Sequence, residues 1–140
     1  MVILIDTNIL IDSAARRMPF CESSDSLLAL CARQEITGFV SSQSLSDIFY
    51  ILRKDMNADE RKLLIKSLRN FLKTVIITDS IIDLALDNED ITDFEDAIQY
   101  ACAESIGADY IITSNTKDFG NSGIRAITPD EFLKTLEPDQ

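Results

Sequence analysis

The chain carries two kinds of hydrophobic pattern, one typical of buried strands and one typical of amphipathic helices. Residues 2–5 form an uninterrupted apolar run, as expected of a parallel strand that is covered on both faces. Residues 41–54, in contrast, place Leu45, Ile48 and Leu52 on one stripe at helical spacing. Strands that alternate with helices in this way predict an α/β domain with a parallel sheet.

The same patterns extend along the whole chain and predict helices on both faces of a central sheet of four to five parallel strands. The predicted strands span residues 2–5, 36–40, 75–78, 110–113 and 124–127. The predicted helices span residues 7–13, 21–34, 41–54, 58–73, 80–88, 93–106 and 129–136. Gly107 stands where a helix usually ends, and Pro129 opens the last helix. Because right-handed crossovers bring the carboxyl ends of parallel strands to one edge, a site is expected there.

Length and composition describe one ordinary globular domain over residues 1–140, with 46% hydrophobic and 26% charged residues. No apolar run approaches the roughly 20 residues that a membrane-spanning helix needs. The first residues lack a basic segment and reach an acid at Asp6, which is unlike a signal peptide. The three cysteines are widely spaced and histidine is absent, which disfavours a disulfide framework and a Cys/His zinc site and fits a reducing cytoplasm.

The net charge of −11 is unusual for a protein that binds nucleic acid, because phosphate neutralisation supplies most non-specific affinity. The charge is unevenly distributed, however. Seven basic residues stand against three acidic ones over residues 53–73, whereas residues 74–104 carry nine acids and no base. Lys66, Arg69 and Lys73 recur at helical spacing, which predicts either a row of phosphate contacts or a solvated helix face.

Several acidic and amide residues fall where the predicted strands end or where the following helices begin. They are Asp6 after the first strand, Asp47 early in the helix that follows the second strand, Asp93 and Asp96 at the start of one helix, and Asn115 with Asp118 after a later strand. Mg²⁺ prefers oxygen ligands and keeps several waters, so carboxylates from several elements could hold one or two such ions. Ions of this kind activate a water and clamp the oxygens of a phosphodiester.

These acids also have structural interpretations. Asp6 could cap the helix that follows it, and Asp47 could form a capping box with Ser44. Asp118 could simply end a loop.

The acids of the helix 93–106 divide in the same way. Thr92 and Glu95 match a capping box, which would leave Asp93 at the first helical position, where the helix dipole favours an acid. Asp96 lies past the cap beside an apolar stripe, so its carboxylate is expected at the edge of the core. Asp96 is therefore the acid that a structural role explains least.

Four segments in order resemble those of the PIN-domain family. They are residues 5–12 (Ile-Asp-Thr-Asn-Ile-Leu-Ile-Asp), 41–48 (Ser-Ser-Gln-Ser-Leu-Ser-Asp-Ile), 93–101 (Asp-Phe-Glu-Asp-Ala-Ile-Gln-Tyr-Ala) and 111–119 (Ile-Ile-Thr-Ser-Asn-Thr-Lys-Asp-Phe). Each segment is weak alone, but all four in this order are specific. The resemblance implies a three-layer α/β/α fold and a ribonuclease that depends on Mg²⁺ or Mn²⁺. Many members of the family are the toxin of a toxin–antitoxin pair, and they are often homodimers.

By position, the resemblance also implies roles for individual residues. The implied metal ligands are Asp6 and Asp96, with Asp47 and Asp93 as further candidates, and the implied catalytic acids are Asp6, Asp47, Asp96 and Asp118. The residues expected to support them are Asn8, Thr113 and Asn115, and Asn115 or Asp118 fills the fourth position of the family pattern. The residues expected to contact RNA are Lys66, Arg69 and Lys73, because of their charge and helical spacing and independently of the resemblance.

The chain departs from the family pattern at two positions. The family usually has Glu where this chain has Asp47, which shortens the side chain by about 1.5 Å and predicts contact with a metal through a water. Ser114 stands where many members carry Arg, so one possible phosphate contact is missing.

Three other kinds of protein share part of this pattern. A receiver-type signalling domain needs an acidic pair at the first strand and a Lys after the last, but Thr7 follows Asp6 and Thr128 follows the last strand. A haloacid-dehalogenase-type phosphatase needs a second Asp where Asn8 stands. A PIN-like module that binds protein or RNA without cutting is the third alternative, and EDTA-sensitive RNA cleavage distinguishes it from a nuclease.

Overall fold

The computed structural model describes residues 1–120 and 123–138 and confirms a parallel sheet, with five strands. The strands are β1 (Val2–Ile5), β2 (Thr37–Ser41), β3 (Lys73–Val75), β4 (Tyr110–Ile112) and β5 (Arg125–Ile127), in the spatial order β3-β2-β1-β4-β5. The predicted single domain, 1–140, includes residues 121–122 and 139–140, which lie outside the described ranges.

Seven α-helices cover the two faces of this sheet in the described part of the chain. They are α1 (Thr7–Ala14), α2 (Cys21–Ala32), α3 (Ser42–Ile51), α4 (Ala58–Arg69), α5 (Asp79–Asp87), α6 (Phe94–Ser105) and α7 (Pro129–Thr135). Gly107, just beyond α6, has a φ of 62°, which the absence of a Cβ makes accessible, and it ends the helix as predicted. Over residues 1–120 and 123–138, no helix is long and apolar enough to cross a membrane.

β1 lies in the middle of the sheet because its side chains are apolar on both faces. Ile3 and Ile5 pack into one core with α1, α2, α3 and α7, whereas Leu4 packs into a second core with α5 and α6. All three side chains are fully buried. The alternation of side chains along a strand therefore divides one apolar run between two cores, and three layers result.

The order of the strands changes direction at β1. The chain proceeds outward from β1 to β2 and β3, then returns to the other side of β1 for β4 and β5. In open parallel sheets, ligands bind in the crevice beyond the carboxyl ends of the strands where the order reverses. In this fold, that crevice lies at Asp6, after β1, and Thr113, after β4.

The boundary between α4 and β3 corrects the predicted helix 58–73 and the predicted strand 75–78. α4 ends at Arg69 with Asn70 as its C-cap, and Lys73 is the first residue of β3. Pairing with residues 39–41 of β2 holds residues 73–75 extended, so tertiary pairing outweighs the helical periodicity of the sequence. Lys73 consequently does not continue the helical row of Lys66 and Arg69.

Gly38, in β2, occupies a position where any side chain would collide with the core. A Cβ built there would lie 2.8 Å from Cys31 Sγ and 2.8 Å from Leu72 Cδ2, and both of those side chains are buried. We expect Gly38→Ala to lower the free energy of unfolding by about 1 kcal/mol and Gly38→Val by about 3 kcal/mol, because an overpacked core must distort its neighbours. Urea unfolding measures both changes, and a Gly38→Val protein as stable as the wild type would contradict this packing.

Candidate active site at the carboxyl edge of the sheet

An acidic cleft of about 450 Å³ opens at the carboxyl edge of the sheet, between α3 and α6. Its walls include the carboxylates singled out by the sequence, which are Asp6, Asp47, Asp93, Asp96 and Asp118. Asn8 and Asn115 also line the cleft, and Thr113 is fully buried behind it. The fold therefore brings together acids that lie far apart in the sequence.

Three hydrogen bonds hold the carboxylate of Asp6 at the base of the cleft. The residue follows β1 and caps α1, where Oδ1 accepts the backbone N–H of Thr7 at 2.8 Å. Gln99 Nε2 donates to the same oxygen at 3.1 Å, and Thr113 Oγ1 donates to Oδ2 at 2.8 Å. The helix-capping interpretation of Asp6 is thus confirmed, and the same carboxylate lines the cleft.

Burial dominates the electrostatics of Asp6, which is only 9% exposed. Burial raises the pKa of its carboxyl, hydrogen bonds from Thr113, Thr7 and Gln99 oppose that effect, and the negative charge of Asp118 adds to it. The net direction is a raised pKa. A cation bound nearby would favour the charged form of this group.

Asp93 is the N-cap of α6. Its Oδ1 accepts the backbone N–H of Asp96 at 3.1 Å. The predicted capping box of Thr92 with Glu95 is therefore wrong, because the cap falls one residue later. Asp93 also lies outside the helix proper and not at its first position.

Asp96 lies in the first turn of α6, partly buried and surrounded by other acids. Burial raises the pKa of its carboxyl from 3.8 to about 6, and negative charges nearby contribute to the rise. Those charges belong, in decreasing order of effect, to Asp93, Asp118, Asp6 and Glu95. Acids from three different segments of the chain therefore act on one carboxyl group.

Asp47 lines the cleft from α3. Ser41 caps this helix by accepting the backbone N–H of Ser44 at 3.1 Å, so the predicted capping box of Ser44 with Asp47 is wrong. Asp47 Oδ1 instead accepts a hydrogen bond of 3.0 Å from Gln43 Nε2, in an exposed position. Its carboxylate is therefore free of any capping role.

The segment that carries Asn115 and Asp118 forms a short 3₁₀ turn, Thr116–Phe119, after β4. Phe119 anchors this turn, because its ring is fully buried in the second core. The backbone N–H of Asn115 donates to Thr113 Oγ1 at 3.1 Å. Both Asn115 and Asp118 line the cleft, so both stay candidates for the fourth position.

A network of hydroxyl and amide groups in the wall of the cleft was not predicted from the sequence. Gln99 Nε2 donates to Ser44 Oγ at 3.1 Å, and that oxygen lies 2.7 Å from Thr7 Oγ1 and 3.1 Å from Ser41 Oγ. Ser41 and Ser44 are fully buried. The feature of the sequence that could have predicted this network is the glutamine on the apolar face of α6.

Comparison with known proteins identifies the fold. A family model described as PIN domain matches residues 2–117, which include the whole acidic cleft except Asp118. The chain belongs to the PIN domain family. Ribonuclease VapC1 of Aquifex aeolicus (strain VF5) is 25% identical to it over 138 residues, which cover 94% of this chain and 93% of that protein.

Solved structures share the architecture of this PIN domain. A chain of a toxin–antitoxin complex from Klebsiella pneumoniae has a TM-score of 0.68 at 23% identity and covers 90% of this chain and 96% of its own. VapC20 of Mycobacterium tuberculosis, described as a Sarcin-Ricin loop cleaving toxin, has a TM-score of 0.65 at 15% identity, with 87% and 95% covered. At these identities, the likeness concerns the fold alone.

The acids of this PIN domain fit a hard divalent cation through their chemistry. Among the residues that the structure describes, no three acidic or cysteine side chains already form a group that could hold a metal ion. Mg²⁺, however, takes only one or two protein carboxylates and keeps several waters. The charge of Asp6 raises the pKa of Asp96, and a cation between acids relieves such repulsion. The residues present therefore fit Mg²⁺ or Mn²⁺.

Two of the basic residues that were expected to contact RNA, Arg69 and Lys73, lie away from the cleft of this PIN domain. Arg69 and Lys73 line a separate depression with Thr37, which begins β2 and so lies at the opposite end of the sheet from Asp6. Lys73 Nζ lies 5.7 Å from the centre of the Phe39 ring. Contact of RNA with Lys66, Arg69 and Lys73 stays a prediction. Phosphates bound at Arg69 and Lys73 would lie away from the acidic cleft.

The metal-free PIN domain is expected to lose stability as the pH rises from about 4 to about 6. The native state holds the proton of Asp96 up to about pH 6, whereas the unfolded chain releases it near 3.8. The native state therefore binds more protons in this window, so the free energy of unfolding falls as the pH rises. Urea unfolding in EDTA measures the slope, and Asp96→Asn should flatten it. An identical slope in wild type and variant would refute the burial and charge crowding at this carboxyl.

Proposed function

We propose that this PIN domain is a metal-dependent endoribonuclease that cuts RNA phosphodiester bonds at the acidic cleft. The observation that carries the proposal is the meeting of six carboxylates, those of Asp6, Asp47, Asp93, Glu95, Asp96 and Asp118, at the carboxyl edge of the sheet, where the strand order reverses. The name of the Aquifex aeolicus relative, a ribonuclease, and the description of the Mycobacterium tuberculosis neighbour, a Sarcin-Ricin loop cleaving toxin, both support it.

Mg²⁺ or Mn²⁺ is the proposed cofactor. Asp6 and Asp96 would hold it, with Asp93 beside them. Asp47 would reach it through a water, because an Asp side chain is one methylene shorter than Glu. When bound, such a cation supplies Lewis acidity that activates a water and stabilises the charge developing on the phosphate.

The residues of the chain would orient the metal-binding carboxylate and accept a proton from the attacking water. Thr7 and Thr113 donate to the two oxygens of Asp6 and keep its carboxylate in one orientation. Asp118 lines the same cleft, and its charge raises the pKa of both Asp6 and Asp96, so it is the first candidate to accept the proton of an attacking water. Asp47, on the other wall, is the second candidate for this role.

Cleavage of labelled RNA tests the proposal. The purified protein is treated with EDTA, incubated with single-stranded and with structured RNA, and then supplied with Mn²⁺ or Mg²⁺. We expect cuts at internal bonds only after the cation is added. A protein that binds Mn²⁺ and RNA but leaves every RNA intact would overturn the proposal and favour a PIN-like module that acts by binding.

We also propose that the protein is the toxin of a toxin–antitoxin pair, that it acts in the cytoplasm and that it forms a homodimer. The toxin–antitoxin complex among the structures of the same fold supports this assignment. Phe20, before α2, and Tyr50, in α3, are large exposed side chains that a dimer or an antitoxin could cover.

Expression of the protein should arrest growth, and co-expression of a small protein encoded next to this gene should restore growth. Sedimentation as a monomer across the micromolar range would contradict the dimer.

A further inference from the structure

Gln99 is a buried polar residue on the apolar face of α6. Its side chain is 7% exposed, and its neighbours on that helix include Ala97, Ile98 and Ala101, which are all buried. Glutamine is rarely buried unless its amide is hydrogen-bonded. The partners of this amide therefore indicate why the residue is there.

Both hydrogens of the Gln99 amide are committed to the site. Nε2 donates to Asp6 Oδ1 at 3.1 Å and to Ser44 Oγ at 3.1 Å, so it ties α6 to the end of β1 and to α3. Oε1, by contrast, is buried without a hydrogen-bond partner among the residues that the structure describes. Leaving a buried acceptor unpaired costs free energy.

The charge of Asp6 explains why the Gln99 amide keeps this orientation although its Oε1 is unpaired. If the amide were turned around, Oε1 would face a carboxylate oxygen, and two acceptors would repel each other. With Nε2 toward Asp6, the amide instead donates to the charged form of the acid, which is the form that a cation needs. The orientation of Gln99 is thus matched to an ionised Asp6.

The hydrogen bonds also decide which lone pairs of Asp6 remain open. A carboxylate offers about four acceptor sites, two on each oxygen. The backbone N–H of Thr7 and the amide of Gln99 fill both sites on Oδ1, whereas Thr113 fills only one on Oδ2. One site on Oδ2 is left for a further partner.

We propose that Gln99 is a positioning residue that orients Asp6 so that this carboxylate binds a divalent cation through Oδ2 alone. The inference rests on the proposed metal-dependent function. Without Gln99, Oδ1 regains a free site and the carboxylate can turn, so the ligand is no longer organised before the cation arrives.

Gln99→Met tests this role, because Met is similar in length and apolar but has no donor. We expect Mn²⁺ to bind roughly 10- to 100-fold more weakly in calorimetric titration. The paramagnetic resonance spectrum of the Mn²⁺ complex should also change, because the coordination by Asp6 changes. Gln99→Asn, which keeps the amide but is too short to reach, should show the same weakening and serves if the Met variant folds poorly.

Two further variants separate positioning from packing. Gln43→Met removes an amide–carboxylate hydrogen bond of the same kind, the one from Gln43 to Asp47. That bond is exposed, so water can replace it, and the Mn²⁺ affinity should change less than about threefold. Ser44→Ala removes the hydrogen bond that links Gln99 to α3 but keeps the one from Gln99 to Asp6. It should therefore lower the melting temperature and leave the Mn²⁺ affinity close to that of the wild type.

The results distinguish this inference from the proposed function. If wild type binds Mn²⁺ and cleaves RNA, and Gln99→Met does both equally well while melting at a lower temperature, Gln99 is only a structural bridge. Equal weakening by Gln43→Met would likewise overturn the inference. If the wild-type protein neither binds Mn²⁺ nor cleaves RNA, it is the proposed function that fails.

Discussion

Asp96→Asn is expected to lower the rate of metal-dependent RNA cleavage by on the order of a thousandfold, because a ligand of the catalytic cation contributes several kcal/mol to the transition state. The same variant should lose the rise in melting temperature that Mn²⁺ gives the wild type. Without metal at neutral pH, it should be more stable than the wild type, since Asp96 is crowded by the charges of Asp93, Asp118 and Asp6. Gel assays of cleavage and thermal melts with and without Mn²⁺ measure these effects.

Glu95→Gln provides the matched control. Glu95 is the neighbouring acid on the same turn of α6, it lines the same cleft, and the substitution removes the same charge. It is exposed, however, and its charge has the smallest of the effects that raise the pKa of Asp96. We expect cleavage within a few-fold of the wild type. If Asp96→Asn and Glu95→Gln responded alike to Mn²⁺, the general charge of the cleft would matter and Asp96 would not be a ligand.

Phe119→Ala is expected to have the second large effect, on stability and on activity together. Phe119 is fully buried in the second core and anchors the 3₁₀ turn that carries Asp118. Removing the ring should lower the free energy of unfolding by about 3–5 kcal/mol. At a temperature where the variant stays folded, cleavage should still fall roughly tenfold to a hundredfold, because small displacements of catalytic groups cost that much.

Phe132→Ala separates the two consequences of Phe119→Ala. Phe132, in α7, is also fully buried, but it packs in the first core, against Tyr110 at a ring distance of 5.9 Å. We expect a similar loss of stability, about 3–5 kcal/mol, with near-normal cleavage while the protein is folded. Equal loss of cleavage in both variants would show that Phe119 acts through global stability and not by holding Asp118.

The candidate site could largely be named from the sequence because its acids follow local rules. Asp6 comes after a run of four apolar residues, and Asp96 comes one turn into a helix whose stop is marked by Gly107. Once the sheet is parallel, the ends of its strands must meet at one edge. The acids that follow those ends were therefore expected to share a site, and they line one cleft.

The predictions that were wrong concern which of several neighbouring residues caps a helix. Each of the two predicted capping boxes competes with a better cap nearby, Ser41 for α3 and Asp93 for α6. Capping residues differ by only about 1 kcal/mol, so the backbone path into the helix decides between them. That path depends on where the preceding strand or loop is held, which a local pattern does not contain.

The sequence by itself determined the alternation of strands and helices, the buried central strand and the set of acids, because these follow from short-range patterns of apolar and charged residues. Only the tertiary structure decided that Lys73 belongs to a strand, since the edge of β2 pairs with it. It also brought the Gln99 amide within hydrogen-bonding distance of the Asp6 carboxylate, which lies 93 residues away in the sequence. Hydrogen bonds between distant residues exist only when the packing of both cores has placed their elements side by side. The acids of this PIN domain could therefore be predicted from the sequence. The hydrogen bond from Gln99 to Asp6 could be found only in the folded structure.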